Sequence, residues 1–282
     1  HTINPRLSPE QMLYIIEHAG DRLLFVDTTF VPIIEKLIPK LPKNLVIIVM
    51  ASSDDSSTLS DNFLHYEQFI SESSHSIIWP EFPENTAAGL CYTSGTTGNP
   101  KGALYTHRST VLHALTTSLN LGPSLGDGMK VLPVVPLFHV NAWGLPYAAP
   151  LTGTSLIFPG PNLDGASLFD LMDQENVNSA WGVPTVWLGL LEEIRKQERV
   201  PSQFQNVVIG GSAAPKSMIE EFESLGITVC HAWGMTEMSP VGTQGFLPGS
   251  MKKALSQDEQ ISKKCYQGRR AVSYTHLRAH ET

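Results

Sequence analysis

Residues 92–102 read Tyr-Thr-Ser-Gly-Thr-Thr-Gly-Asn-Pro-Lys-Gly, and they follow directly on the apolar run Ala87-Ala88-Gly89-Leu90-Cys91. Glycine lets a backbone come close to an anion and turn its N–H groups toward it. The hydroxyls of Thr93, Ser94, Thr96 and Thr97 donate further hydrogen bonds, and Lys101 adds a mobile point charge. Thr93, Ser94, Gly95, Thr96, Thr97, Gly98 and Lys101 therefore read as a polyphosphate cradle. The spacing is not that of a Walker loop, because no Gly-Lys-Ser/Thr follows four residues after a glycine. A flexible Gly/Ser/Thr linker would share the composition. A linker, however, has no reason to lie between one buried apolar run and a second, Ala103-Leu104-Tyr105.

Three further stretches could do chemistry. Gly210-Gly211-Ser212-Ala213-Ala214-Pro215 follows the apolar Val207-Val208-Ile209, so small residues leave a slot for a flat ring and exposed backbone groups to read its edge. Taken alone, it reads first as a tight turn with an N-cap, and only its company with the other stretches favours the slot. Trp233-Gly234-Met235-Thr236-Glu237 offers an indole for stacking, a hydroxyl and a carboxylate, although an isolated Thr-Glu pair is usually only surface. Pro136-Leu137-Phe138-His139-Val140-Asn141-Ala142-Trp143 sets a histidine among apolar residues, where a lone histidine is commonly a hydrogen-bonded core residue.

In this order, the four stretches resemble the signatures of the adenylate-forming (AMP-binding) superfamily, which includes acyl-CoA synthetases, luciferases and peptide-synthetase adenylation domains. The resemblance implies that the loop with Lys101 holds the ATP β- and γ-phosphates and then the leaving pyrophosphate. It implies that Gly211, Ser212, Ala213 and Ala214 form the adenine turn, with Trp233 where the family usually has another aromatic, often tyrosine. Thr236 would bond the α-phosphate and Glu237 would help hold Mg²⁺, a hard cation suited to oxygen ligands. His139 and Trp143 would line the carboxylate pocket, with Gly182 and Val183 of Trp181-Gly182-Val183-Pro184 opposite. His65, His75, His107 and His113 match no role and read as solvated or structural.

The implied reaction has two halves. A carboxylate attacks the ATP α-phosphorus to give acyl-AMP and pyrophosphate, and the thiol of coenzyme A then attacks the mixed anhydride. Thr2-Ile3-Asn4-Pro5-Arg6 and Val140-Asn141-Ala142-Trp143 most resemble medium-chain fatty-acid CoA ligases and 3-methylmercaptopropionate CoA ligases. The bulk of Trp143 favours short or medium acids. The family's Thr-Gly-Asp-type ribose-binding segment and its lysine-bearing C-terminal domain have no counterpart here. The expectation is therefore that residues 1–272 are part of the large adenylation domain of a longer parent, binding nucleotide weakly without turnover. A non-catalytic nucleotide-binding fragment or degenerate paralogue is the alternative, and a phosphate-loop hydrolase of another class lacks its Walker signature. Whether the full-length protein is a homodimer stays open.

Composition is that of an ordinary globular protein. The 282 residues are 41% hydrophobic, enough for a large core in one or two domains. The net charge is −8, the acidic excess lies before residue 249, and an acidic body argues against nucleic acid as a partner. Three cysteines, Cys91, Cys230 and Cys265, form no even framework or metal-ligand spacing, which suits a reducing compartment and a cytoplasmic location. No window approaches a membrane span or signal peptide. Residues 273–282 lack helical or strand periodicity and look like a non-native read-through tail, a disordered basic tail being the other reading.

The elements that must position these residues alternate. Ser8 as N-cap with Pro9 and Gln11 predicts a helix over 9–19, then a buried strand at 22–26, a short helix over 29–38 interrupted near Pro32, and a strand at 45–49. After the loop come helix 107–120, strand 130–135, helix 138–149, strand 154–158, helix 164–175, strand 178–182, helix 184–197, strand 206–210, helix 215–225 and strand 227–231. Such alternation predicts an α/β fold of stacked, mainly parallel sheets with flanking helices, the ligand loops at strand C-terminal ends.

Overall fold

The computed structural model describes residues 1–51, 60, 62–71, 73–74, 76–93 and 98–270. The chain is an α/β protein and divides into two compact units, one of Ile3–Pro83 with Tyr92–Gly102, the other of Glu84–Cys91 and residues from Ala103 onward.

In the first unit the helix Pro9–Ala19 begins as its sequence dictates. Ser8 and Gln11 form a reciprocal capping box, Pro9 sits in the first turn, and Gly20 closes the helix in the left-handed region at φ 69°. Strands β1 (Leu23–Asp27), β2 (Val46–Met50) and β3 (Leu64–His65) form a parallel sheet in that order. Met12, Val26, Ile34, Ile47 and Val49 build the core under one face. β1 is not the wholly buried strand its apolar sequence suggests: Leu23 and Phe25 are exposed, and only Val26 is buried. The period of two puts alternate residues on opposite faces, and the helices Pro9–Ala19 and Val31–Leu37 cover the Val26 face. Pro32 does not interrupt the next helix. It lies in the first turn of Val31–Leu37, where a missing N–H costs nothing, and short 3₁₀ turns precede and follow.

β4 (Ala87–Thr93) and β5 (Lys101–Thr106) pair as a two-stranded ribbon. In the second unit β6 (Lys130–Pro133), β7 (Ser155–Leu156), β8 (Ser179–Gly182), β9 (Asn206–Ile209), β10 (Thr228–Gly234), β11 (Val241–Gln244) and β12 (Arg269–Arg270) form one sheet. Its order is β12-β11-β10-β9-β8-β6-β7, parallel from β7 to β10 and antiparallel beyond. Both faces of the parallel part are covered. Ala180, Val207, Ile209 and Val229 pack with Phe169, Trp187, Leu190 and Phe222 on one side, whereas Trp181, Val208 and Cys230 pack with Leu121, Leu145 and Ala148 on the other. Burial on both sides is why these strands read as continuous apolar runs.

Two regions of this unit depart from expectation. A single helix over 138–149 does not form: Val140, Asn141, Ala142 and Trp143 have φ of 52°, 49°, 47° and 58°, a left-handed turn, and a right-handed helix then runs from Leu145 to Thr152. Gly144, at φ 78°, joins the two. A β-carbon there would stand 2.5 Å from Cε1 of His113, so the close approach also demands glycine. Beyond β10, the antiparallel strands and the helices Gly249–Ala254 and Gln257–Lys264 had no counterpart in the alternating pattern. Ser256 and Glu259 make a reciprocal capping box, so the last of these helices carried a readable start signal.

Candidate functional site

The parallel strands of the second unit end on one side in the turns that carry the candidate residues, as doubly wound sheets require. A cavity of about 290 Å³ opens there. Its wall brings together His139, just before the left-handed turn, Trp143 within it, Gly211 after β9, Trp233 at the end of β10, and Thr236 and Glu237 from the 3₁₀ turn Thr236–Met238. Its floor comes from Leu121, Trp181 and Val208.

Trp143 owes its position to backbone and glycine alike. Left-handed geometry costs about 1–2 kcal/mol per non-glycine residue, and such strain persists where surrounding packing imposes it. Here Val140 is buried against Cys91 and Tyr105, and Ala142 is almost fully buried. Across the cavity Gly210 lies flush with the indole: a β-carbon on it would come 2.9 Å from Cη2 of Trp143. His139 opens to solvent at the cavity wall, and desolvation by its neighbours pushes its imidazole below the ordinary histidine range.

The turn Gly210–Pro215 is held from below. The N–H of Ala214 donates to Nε2 of His231 at 3.2 Å, and Nδ1 of the same ring lies 3.2 Å from the carbonyl of Lys264. Accepting at Nε2 fixes the proton on Nδ1, and burial pushes the imidazole below its usual value, so His231 is neutral. Ser212 and Ala213 are exposed and Ala214 is buried; all three stand next to the cavity wall rather than on it. Val183 packs on Gly211, where an added β-carbon would meet its Cγ1 at 3.0 Å, and Gly182 packs on Trp187. Cys230, on β10, is fully buried and its thiol is pushed up to about 12, so it is inert.

Thr236 is buried and Glu237 is exposed. Among the described residues, no group of three or more His, Cys, Asp or Glu side chains could hold a metal by itself, and Glu237 is the carboxylate on the cavity wall. One carboxylate suits a Mg²⁺ ion that keeps water and shares the oxygens of a bound nucleotide, not a protein cage. In the first unit, the Thr93 hydroxyl donates to the carbonyl of Lys101 at 3.4 Å and Gly98 has φ 99°. Ser94, Gly95, Thr96 and Thr97 lie outside the described residues, as do His75 and residues 271–282.

The sequence reading passed over four contributors. Tyr105 and His113 touch the backbone of the Thr236–Val241 segment, His231 touches the Gly210–Pro215 turn, and Trp181 closes the floor. Tyr105, His113 and His231 belong to no motif with its own spacing, and only long-range pairing brings them in; Trp181 opens the segment that carries Gly182 and Val183.

The family model described as AMP-binding enzyme matches residues 1–266. The medium-chain-fatty-acid–CoA ligase of Ectopseudomonas oleovorans is 49% identical over 271 residues, covering 95% of this chain and 50% of that protein. The 3-methylmercaptopropionyl-CoA ligase of Ruegeria pomeroyi is 48% identical over 247 residues, covering 86% and 46%. The crystal structure of a long-chain-fatty-acid-CoA ligase from Archaeoglobus fulgidus superposes with a TM-score of 0.77 at 20% identity, over 95% of this chain and 51% of that one. The chain thus spans about half the length of the curated relatives it matches.

Proposed function

The chain belongs to the family of AMP-binding enzymes, and from that premise we propose that the whole protein activates a short- or medium-chain carboxylic acid with ATP and passes the acyl group to coenzyme A, these 282 residues supplying its nucleotide-binding part without turnover of their own. The observation that carries this reading is the single cavity in which Trp143, Gly211, Thr236 and Glu237 meet. That wall combines an aromatic face, exposed backbone, a hydroxyl and a carboxylate, the parts that an acyl-adenylate needs.

The roles follow from the chemistry of each group. Thr93 to Gly98 and Lys101 take the β- and γ-phosphates, where backbone donors and a point charge offset the developing negative charge. Gly211, Ser212, Ala213 and Ala214 present backbone to the adenine edge, and Trp233 offers it a ring face. Thr236 donates to the α-phosphate. Glu237 would hold Mg²⁺, which would supply positive charge against the phosphates. His139, Trp143, Gly182 and Val183 border the acid, whose oxygen attacks the α-phosphorus in line while pyrophosphate leaves. The thiol of coenzyme A then displaces AMP, so the protein supplies no covalent nucleophile. The bulk of Trp143 on the cavity wall favours short or medium acids.

Pyrophosphate exchange into ATP, measured with the whole protein and with this chain side by side, tests the reading. Exchange that requires a short or medium carboxylic acid supports it, and ATP hydrolysis without any acid would overturn it. ATP binding without exchange would assign this chain a nucleotide-binding role only.

A further inference from the structure

The segment Thr236–Val241 carries the two residues to which the α-phosphate and Mg²⁺ are assigned, and both of its ends are tied to one strand–helix unit. At its start, the hydroxyl of Tyr105 on β5 donates to the carbonyl of Thr236. At its end, the N–H of Val241 donates to Nε2 of His113 at 3.2 Å, on the helix His107–Asn120. Both side chains are buried, each 7% exposed. Thr117, one turn along the same helix face, lies 3.3 Å from the same Nε2, and Gln244 reaches Asn120 of that face at 3.3 Å.

Within the segment the backbone closes on itself. Met235 N–H donates to the Pro240 carbonyl at 3.0 Å, and Ser239 N–H to the Thr236 carbonyl at 3.3 Å. The Thr236 carbonyl therefore accepts from Tyr105 and Ser239 together. The other face of His113 packs on Gly144, immediately after the left-handed turn that carries Trp143. A single imidazole thus stands behind both walls of the cavity. Its acceptor nitrogen faces one wall, and the ring itself supports the other.

We propose that Tyr105 and His113 are positioning residues: they clamp the two ends of Thr236–Val241 so that the Thr236 hydroxyl and the Glu237 carboxylate are held ready for the nucleotide phosphates and their cation. This rests on the nucleotide-binding reading above. The Tyr105 bond fixes the peptide plane from which the Glu237 backbone departs. The His113 bond stops the far end from lifting. Burial pushes the His113 imidazole down to about 4, so Nε2 keeps its lone pair at neutral pH. Burial likewise pushes the Tyr105 phenol up, so it keeps the proton that it donates.

The test uses the full 282-residue chain, with adenosine and ATP·Mg²⁺ titrated separately by calorimetry. Tyr105→Phe and His113→Leu are each expected to weaken ATP·Mg²⁺ about tenfold, the worth of one buried hydrogen bond. Adenosine, which lacks phosphates, should change less than about twofold. His113→Gln, whose side-chain oxygen can accept from Val241, should restore most of the affinity. A merely structural role would weaken both ligands alike or leave both unchanged, and either result overturns the clamp. If His113→Leu does not fold, Tyr105→Phe still decides, because it removes one oxygen. If the parent chain binds neither ligand, the nucleotide-binding reading falls first and takes the clamp with it.

Discussion

Trp143 shows how much of this cavity rests on single residues. Its ring is confined by Gly210 on one side and by the left-handed backbone of its own turn on the other, so its position is set by sterics rather than by a hydrogen bond. Truncation would open space without leaving a buried polar group unpaired. Trp143→Ala is therefore expected to move the preference toward longer acids, read as kcat/KM over a series of chain lengths; an unchanged profile would remove Trp143 from the acyl pocket. One methylene in an apolar pocket is worth about 1–3 kcal/mol, so the crossover should be steep. The role proposed for Glu237 is different, because its exposed carboxylate would meet the phosphates through a cation. Glu237→Gln should weaken ATP in the presence of Mg²⁺ by about tenfold or more and leave Mg²⁺-free nucleotide binding nearly unchanged. Comparing the two titrations checks the assignment.

The elements divide by how local their causes are. Helices with capping boxes and strands buried on both faces were legible, because Ser8 with Gln11, or Val207 through Ile209, state their structure within a few residues. The left-handed turn Val140–Trp143 was not legible, since nothing local in Val-Asn-Ala-Trp demands four consecutive left-handed residues, and only the contact of Gly144 with His113 and the burial of Val140 and Ala142 reveal that geometry. The motif residues of the candidate site could be read for the same local reason, whereas Tyr105, His113 and His231 act through partners 131, 128 and 17 positions away. The helix Gln257–Lys264 illustrates the energetic side of such long-range pairing. Lys264 is 1% exposed and forms an ion pair with Glu223 of the helix Lys216–Ser224, and Glu223 also accepts the N–H of Val229 at 2.7 Å. Removing one member of a buried pair strands the other charge. Lys264→Ala should thus destabilise the fold by about 3–5 kcal/mol, visible as a lowered urea midpoint. Lys264→Ala combined with Glu223→Gln should recover part of that loss.

At the scale of the whole molecule, histidines whose imidazoles are held below their ordinary range set how the fold responds to acid. His113, His139 and His231 all have imidazoles pushed below the ordinary value by desolvation, His113 to about 4 from 6.5. A group whose native form resists protonation binds its proton first in the unfolded chain, so stability falls as pH drops below about 6.5 and stops falling, for His113, near 4. For that residue alone the loss amounts to about 3 kcal/mol across the window. The carboxylates of Asp27, Asp164 and Asp173 are held below their usual range by hydrogen bonds, those of Asp173 coming from Arg199 and the Ser202 backbone. Their contribution is present above the unfolded value of 3.8 and disappears only as pH falls through the still lower native value, so it lies below the histidine window. The two effects therefore separate along the pH axis. Urea unfolding followed from pH 7 to pH 4 should show a stability that declines steadily, and His113→Gln should flatten that decline because it removes the proton that the unfolded chain gains. A slope unchanged in the variant would mean that His113 is protonated alike in both states, which its burial against Gly144, Thr117 and Val241 does not allow.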